Sequence, residues 1–341
     1  MKANNLNFLR LIAAGLVLYG HSAIFLGRPE PLFLSWMPLG PLGVAIFFII
    51  SGYLVTQSWQ QDPNLRRFFI RRCLRIFPGL LVCVLLCIFV LGPWFTSLSL
   101  KQYFAHEATW HYLRNLGLYI TYYLPGVFEH SRVPNAVNGS LWSLPLEFFL
   151  YIVVALLSVI STKKWIMIAT FLTSALLYLL WAQSATEMLV IYGTDMRQLF
   201  INGTYFWAGA VFYQLDLKRY FSITSVVLAS VGILCIQTNF PQFLFLAGWG
   251  LLPLIVLAFG LSTNEILTRI TATGDYSYGV YIYAFPVQQA IAFLYPKLNF
   301  GIYVALCMAV TLTLAIFSWH LVEKAALAFK PRNPALAGAI I

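Results

Sequence analysis

The chain is 341 residues long, 60% of them hydrophobic and only 9% charged. A soluble domain carries roughly 25% charged residues, because its surface has to be hydrated, so a soluble enzyme is excluded and a polytopic membrane protein is expected. The 21 Lys and Arg outnumber the 11 Asp and Glu, giving +10, which suits short basic loops held against an anionic leaflet. No nucleic-acid partner is expected, since few basic residues lie outside such loops. The five cysteines form no CxxC pair and fall mostly in apolar runs. They imply neither a disulfide framework nor a metal site.

A spanning helix needs about 20 mostly apolar residues. Ten segments qualify: 6–26, 41–58, 77–95, 140–161, 164–182, 198–215, 221–237, 242–262, 276–296 and 300–322. The expected fold is therefore all-α, with about ten transmembrane helices. The first segment follows Lys2 as a signal peptide would, but Arg10 interrupts it and no small-x-small cleavage site follows, so it is kept as a span. With the N-terminus inside, inner loops and tails hold fourteen basic residues, from Lys2 to Arg332, and outer loops hold six. This bias places both termini in the cytoplasm. The longest loop, 96–139, is then external and carries His106, Glu107, His111, Glu129 and His130 among aromatic residues. It reads either as an aromatic, partly helical cap or as a vestibule for an acceptor. With no internal repeat and no second soluble domain, residues 1–330 form one membrane domain and 331–341 a short tail.

Charges inside spans are costly and mark candidate function. Arg10 and His21 lie in the first span and Glu147 in the fourth. Eleven helical steps leave about 20° of rotation and about 16 Å of rise between Arg10 and His21, so both project from one face. Arg10 sits near the inner end and His21 in the outer third. The fourth span runs the other way, and counting from Ser140 puts Glu147 about two turns below its outer end, near the depth of His21. A His and a carboxylate at one depth form a base and its orienting partner; alternatively, each pairs with hydroxyls or backbone and only holds helices together. Arg10 also reads as a snorkelling anchor.

The inner loop holds Arg66, Arg67, Arg71, Arg72 and Arg75, five arginines within ten residues. Arg71 and Arg75 share a helix face, with Arg72 three residues from Arg75. Guanidinium forks suit phosphate oxygens, so the loop reads as a site for a nucleotide-bearing donor or as an anchor on anionic lipid. Ser51-Gly52 allows close helix approach. Trp142, Ser143 and Pro145 precede Glu147, where the proline frees a backbone carbonyl. The sequons at Asn138 and Asn202 are discounted as chance matches.

Taken in order, these segments resemble the family-3 integral membrane acyltransferases. NNLNFLRLIAAGLVLYGHS looks like the family's opening Arg and His, and GVAIFFIISGYLV its phenylalanine-Ser-Gly span. RRCLRIFP resembles its basic loop, SLWSLPLEFFLY its Trp-Ser-Leu-then-Glu segment, GDYSYGVYIYAFPVQQ its late Ser-Tyr segment and HLVEKAALAF its closing pattern. The resemblance implies transfer of an acyl group, usually acetyl from cytoplasmic acetyl-CoA, to a hydroxyl of an extracytoplasmic or lipid-linked saccharide at the bacterial inner membrane, without a metal. Resemblance and spacing together nominate His21, Glu147 and Arg10 as catalytic. They nominate Arg71, Arg72, Arg75, Ser51 and Gly52 for the donor, and Trp142, Ser143, Ser277 and Tyr281 for the substrate. Direct attack by the sugar hydroxyl and an acyl-enzyme on Ser51 or Ser143 both stay open. Two departures stand out: Ala284 where many members have His, which leaves that role absent or with Tyr281 or Tyr283, and Ala325 where they have Pro. The chain is expected to lack the C-terminal esterase-like domain of some members. The rival readings are a flippase for a lipid-linked saccharide, which would usually show an internal repeat, and a multi-span glycosyltransferase, whose first outer loop would be acidic where this one offers only Glu30.

Overall fold

The computed structural model describes residues 4–161 and 163–331. Lys2, Arg332 and the expected tail from 332 onward lie outside the described residues. The main helices are α1 (Leu6–Phe25), α2 (Leu39–Gln61), α3 (Leu65–Phe95), α4 (Gly139–Ile160), α5 (Trp165–Ala182), α6 (Gly203–Gln214), α7 (Ile223–Asn239), α8 (Pro241–Leu261), α9 (Ser277–Leu294) and α10 (Phe300–Ala328). Among the described residues the strands amount to two hairpins of two-residue strands, Leu32–Phe33 with Met37–Pro38 and Val190–Ile191 with Thr194–Asp195. The chain is an all-α integral membrane protein.

Seven of these helices are long and apolar enough to cross a membrane. The three that fall short have identifiable reasons. α6 has 12 residues and is buried continuously from Gly203 to Ala210; a helix apolar on all sides and enclosed by neighbours is a core helix, whose hydrophobicity reports packing. α7 has 17 residues. α9 has 18, but its tyrosines and Gln288-Gln289 make it more polar.

Close approach of α2 and α6 explains Gly52. A Cβ there would collide with the Phe206 carbonyl oxygen, and one at Gly209 with that of Ile49. These glycines let two backbones touch. Gly52 is a packing residue, and the expectation that it binds the donor is corrected.

The entry to α4 is set by a proline elsewhere. Pro286 lies inside α9 and has no N–H to offer the carbonyl four residues back, that of Ile282. Asn138 supplies the missing donor through Nδ2 at 2.8 Å, while its Oδ1 accepts from the Ser140 N–H at 3.2 Å. The end of the outer loop is thereby drawn into the bundle, and α4 starts there. Asn138 is fully buried and Asn202 nearly so, in keeping with the discounted sequons. The rest of the loop folds as an aromatic, partly helical cap, with short helices Leu100–Ala105 and Glu107–His111 and fully buried Tyr103 and Tyr112. Gln289 of α9 ties it down, donating to Ser131 Oγ and to the Val133 and Ala136 carbonyls.

Candidate functional site

A cavity of about 1210 Å³ opens between α1, α2, α3, α4 and α9. It runs from Asn4, Asp62 and Lys330 at one end to Phe47, Ser143 and Tyr281 at the other. Of the nominated residues, Arg10, Ser51, Arg71, Arg72, Arg75, Ser143, Glu147, Ser277 and Tyr281 all line it. His21, Gly52 and Trp142 do not. The Trp142 carbonyl instead accepts from Thr194 Oγ1 at 3.3 Å.

The arginines project from one face of α3 because they recur at three- and four-residue steps, and each is held differently. Asp62, in the turn between α2 and α3, takes Arg67 Nε at 2.9 Å and Arg71 at 2.6 Å. The Arg67 hydrogen bond, opposed by burial and reinforced by Arg71, holds the Asp62 carboxyl at about 2. Asp275, just before α9, takes Arg75 at 2.7 Å and Arg10 at 3.4 Å. Among the described residues Arg72 meets no carboxylate. Its guanidinium lies over the rings of Phe68 and Tyr151, 5.8 Å from each centroid, reaches only Ser58 Oγ at 3.4 Å, and leaves a buried Nε unpartnered. That orphaned donor fits an incoming phosphate oxygen.

At the inner reach of the cavity, Glu147 Oε1 accepts from Ser51 Oγ at 2.6 Å and from Tyr151 at 2.5 Å. Ser143 Oγ and the Tyr281 hydroxyl are paired at 2.6 Å. His21 is elsewhere. Its ring meets Phe285 edge-on at 5.6 Å, and its buried Nδ1 has no partner. The expected pairing of His21 with Glu147 is therefore corrected. Counting from an outer boundary misplaces Glu147, because the Asn138 tether makes α4 begin inside the bundle. Glu147 shares the depth of Ser51, which is eleven residues along α2 from Gly40, and a Cβ on Gly20, beside His21, would touch the Gly40 nitrogen. The carboxylate is thus about 16 Å along the bundle from His21.

Ala284, standing where the family usually has His, is 1% exposed in an apolar cluster with Leu18, Phe25 and Tyr303. Tyr283 bonds Ser318 at 3.2 Å, while Tyr281 faces the cavity. Sequence reasoning missed Asp62, Tyr151 and Asp275. Tyr151 was findable as the residue four after Glu147, and Asp275 as an acid opening a helix at the same end as Arg10. No group of three or more His, Cys, Asp or Glu suited to a metal occurs among the described residues.

Residues 4–320 match the family model described as an acyltransferase domain. The chain is 31% identical to an O-acetyl transferase of Shigella phage Sf6, covering 95% of this chain and 96% of that one. It is 26% identical to nodulation protein 10 of Rhizobium leguminosarum bv. viciae, over 95% and 93%. With the peptidoglycan O-acetyltransferase OatA of Listeria monocytogenes it shares 24% identity over 74% of this chain and 46% of that protein. No solved structure matches. A match over nearly the whole chain, on a helical membrane scaffold, makes this protein a member of the family-3 acyltransferases, an integral membrane acyltransferase.

Proposed function

We propose that this enzyme, through a membrane domain spanning residues 1–330, transfers an acetyl group from cytoplasmic acetyl-CoA to a hydroxyl of an extracytoplasmic or lipid-linked saccharide at the bacterial inner membrane. The observation that carries the reading is Arg72, whose guanidinium, without a carboxylate partner among the described residues, lines a cavity of about 1210 Å³. The relatives named as O-acetyl transferases support the acyl group and the hydroxyl acceptor.

In this reading Arg72, with Arg71 and Arg75, receives the CoA phosphates, and the pantetheine arm extends along α2 and α9 toward Ser143 and Tyr281. His21, beyond that hydroxyl pair, takes the proton of the sugar hydroxyl, whose oxygen attacks the thioester carbonyl. The CoA thiolate leaves and recovers a proton, and Ser143 or Tyr281 donates to the developing oxyanion. Glu147 acts through Ser51 and Tyr151, the latter stacked on Arg72, and so shapes the donor side.

His21→Ala should lower acetylation of cell-surface saccharide about 10²- to 10⁴-fold, the range for losing a general base, while the protein still inserts. Proton NMR of O-acetyl methyl signals reads it, and full activity overturns the base assignment. Arg72→Ala combined with Arg75→Ala should weaken CoA binding at least about tenfold by calorimetry; unchanged affinity returns the arginines to a lipid anchor.

A further inference from the structure

The cavity's cations differ in what faces them. Arg71 shares Asp62 with Arg67, and Arg72 has no carboxylate partner among the described residues. Arg10 from α1 and Arg75 from α3 converge on a single atom, Asp275 Oδ2, at 3.4 and 2.7 Å. The other oxygen, Oδ1, accepts from the Ser277 hydroxyl at 2.5 Å and the Ser277 N–H at 3.3 Å. The carboxylate is therefore pinned to the start of α9 on one side and divided between two helices on the other. Its side chain is 9% exposed. Burial pushes its carboxyl up, but Arg75 and Arg10 outweigh that and hold it at about 2, so it is ionised at any physiological pH. Two guanidinia brought to one point repel unless a negative charge sits between them.

We propose that Asp275 is a positioning residue for the acyl donor: by dividing one oxygen between Arg10 and Arg75 it keeps the two guanidinia side by side at the cavity wall, where the donor's phosphates meet a preformed cation pair. The proposal rests on the reading of the cavity as a site for a CoA thioester. It assigns Asp275 no contact with the reacting atoms. Its contribution is preorganisation, which strengthens binding by removing the cost of assembling the pair when the ligand arrives.

Asp275→Asn separates this role from simple electrostatics, because the two predict opposite signs. The variant adds one positive charge to the cavity, and Coulomb attraction alone would tighten a polyanion. If Ser277 keeps the amide oxygen, the substitution turns an N–H donor toward both guanidinia. They part, and affinity falls.

The test is calorimetric titration of CoA into the full chain in nanodiscs, with thermal unfolding as a control. Asp275→Asn is expected to weaken CoA about tenfold per folded molecule, as loss of a paired charge-assisted contact does, with thermal unfolding reading separately the stability lost with the two ion pairs. Asp275→Glu should recover most of the affinity, which a role in packing alone would not allow. Unchanged or tighter binding by Asp275→Asn, or a Glu variant as weak as Asn, overturns the proposal. If the Asn variant does not fold, Ser277→Ala decides: it keeps every charge and loosens the carboxylate, which retains only the longer bond from the residue 277 N–H, so weaker binding supports the proposal and unchanged binding overturns it. Failure of the unsubstituted protein to bind CoA would instead remove the donor reading beneath it.

Discussion

Ser51 and Gly52 are adjacent in sequence and opposite in duty. Successive residues of a helix point about 100° apart, so Ser51 reaches Glu147 in the cavity while Gly52 lies against the backbone of α6. Sequence reading grouped the two because a motif is contiguous; only the packing partner separates them, and α6 is some 150 residues away. Gly52→Ala should therefore destabilise by about 1–3 kcal/mol, the usual cost of overpacking, lowering the unfolding temperature in detergent while CoA affinity per folded molecule stays the same. A selective loss of CoA affinity at unchanged stability would put Gly52 back in the site. The ionisable residues were more legible than the glycine. In a chain with 9% charge, each ionisable residue inside a span needs a polar reason to be there; Arg10 and Glu147 line one cavity together with Arg72 and Arg75 of the expected inner loop, while His21 does not.

At the scale of elements, a single tether governs the depth of α4. Helix existence was readable from hydropathy, but depth was not, because it depends on a bond between Asn138 and a carbonyl orphaned by Pro286, more than 140 residues apart. That bond is why Glu147 faces Ser51 and not His21. Asn138→Leu, similar in volume, leaves the Ile282 carbonyl with only the weak Cys83 thiol donor at 3.4 Å, and a buried group so poorly satisfied costs up to about 1–3 kcal/mol. Thermal unfolding should show this loss, and a melting temperature equal to that of the unsubstituted protein would show that the carbonyl finds another partner. The turn joining α2 to α3 responds to acid. Asp62 is depressed from 3.8 to about 2, so its ion pairs with Arg67 and Arg71 contribute fully above the unfolded value, and that contribution is lost as pH falls through the folded one. Stability should drop between about pH 4 and pH 2, and Asp62→Asn should flatten that part of the profile.

For the whole molecule, parity constrains the topology. Seven crossings alone would leave the termini on opposite faces, yet Asn4 and Lys330 line the same end of one cavity. Other contacts gather at that end: Asn5 donates to Ser262 Oγ past the end of α8 at 3.0 Å, Arg10 meets Asp275 before α9, and Gln60 of α2 bonds Gln214 at the end of α6. The opposite end holds the 190–195 hairpin, where the Ile120 N–H donates to the Tyr192 carbonyl at 3.1 Å. A chain that leaves α6 at the first end and returns there at the close of α8 has to cross in between, and α7 is the element available. If α6 and α9 cross in the same way, the count is the ten expected from hydropathy and both termini lie on the basic face, which reporter fusions test. The shortest of the three need not match a bilayer of about 30 Å, because protein encloses it. An alkaline phosphatase reporter should then be inactive when fused after Arg219 and active after Asn239, while green fluorescent protein after Ile341 should fluoresce. Equal reporter activity at the two sites flanking α7 would make it a surface helix and return the count to an odd number.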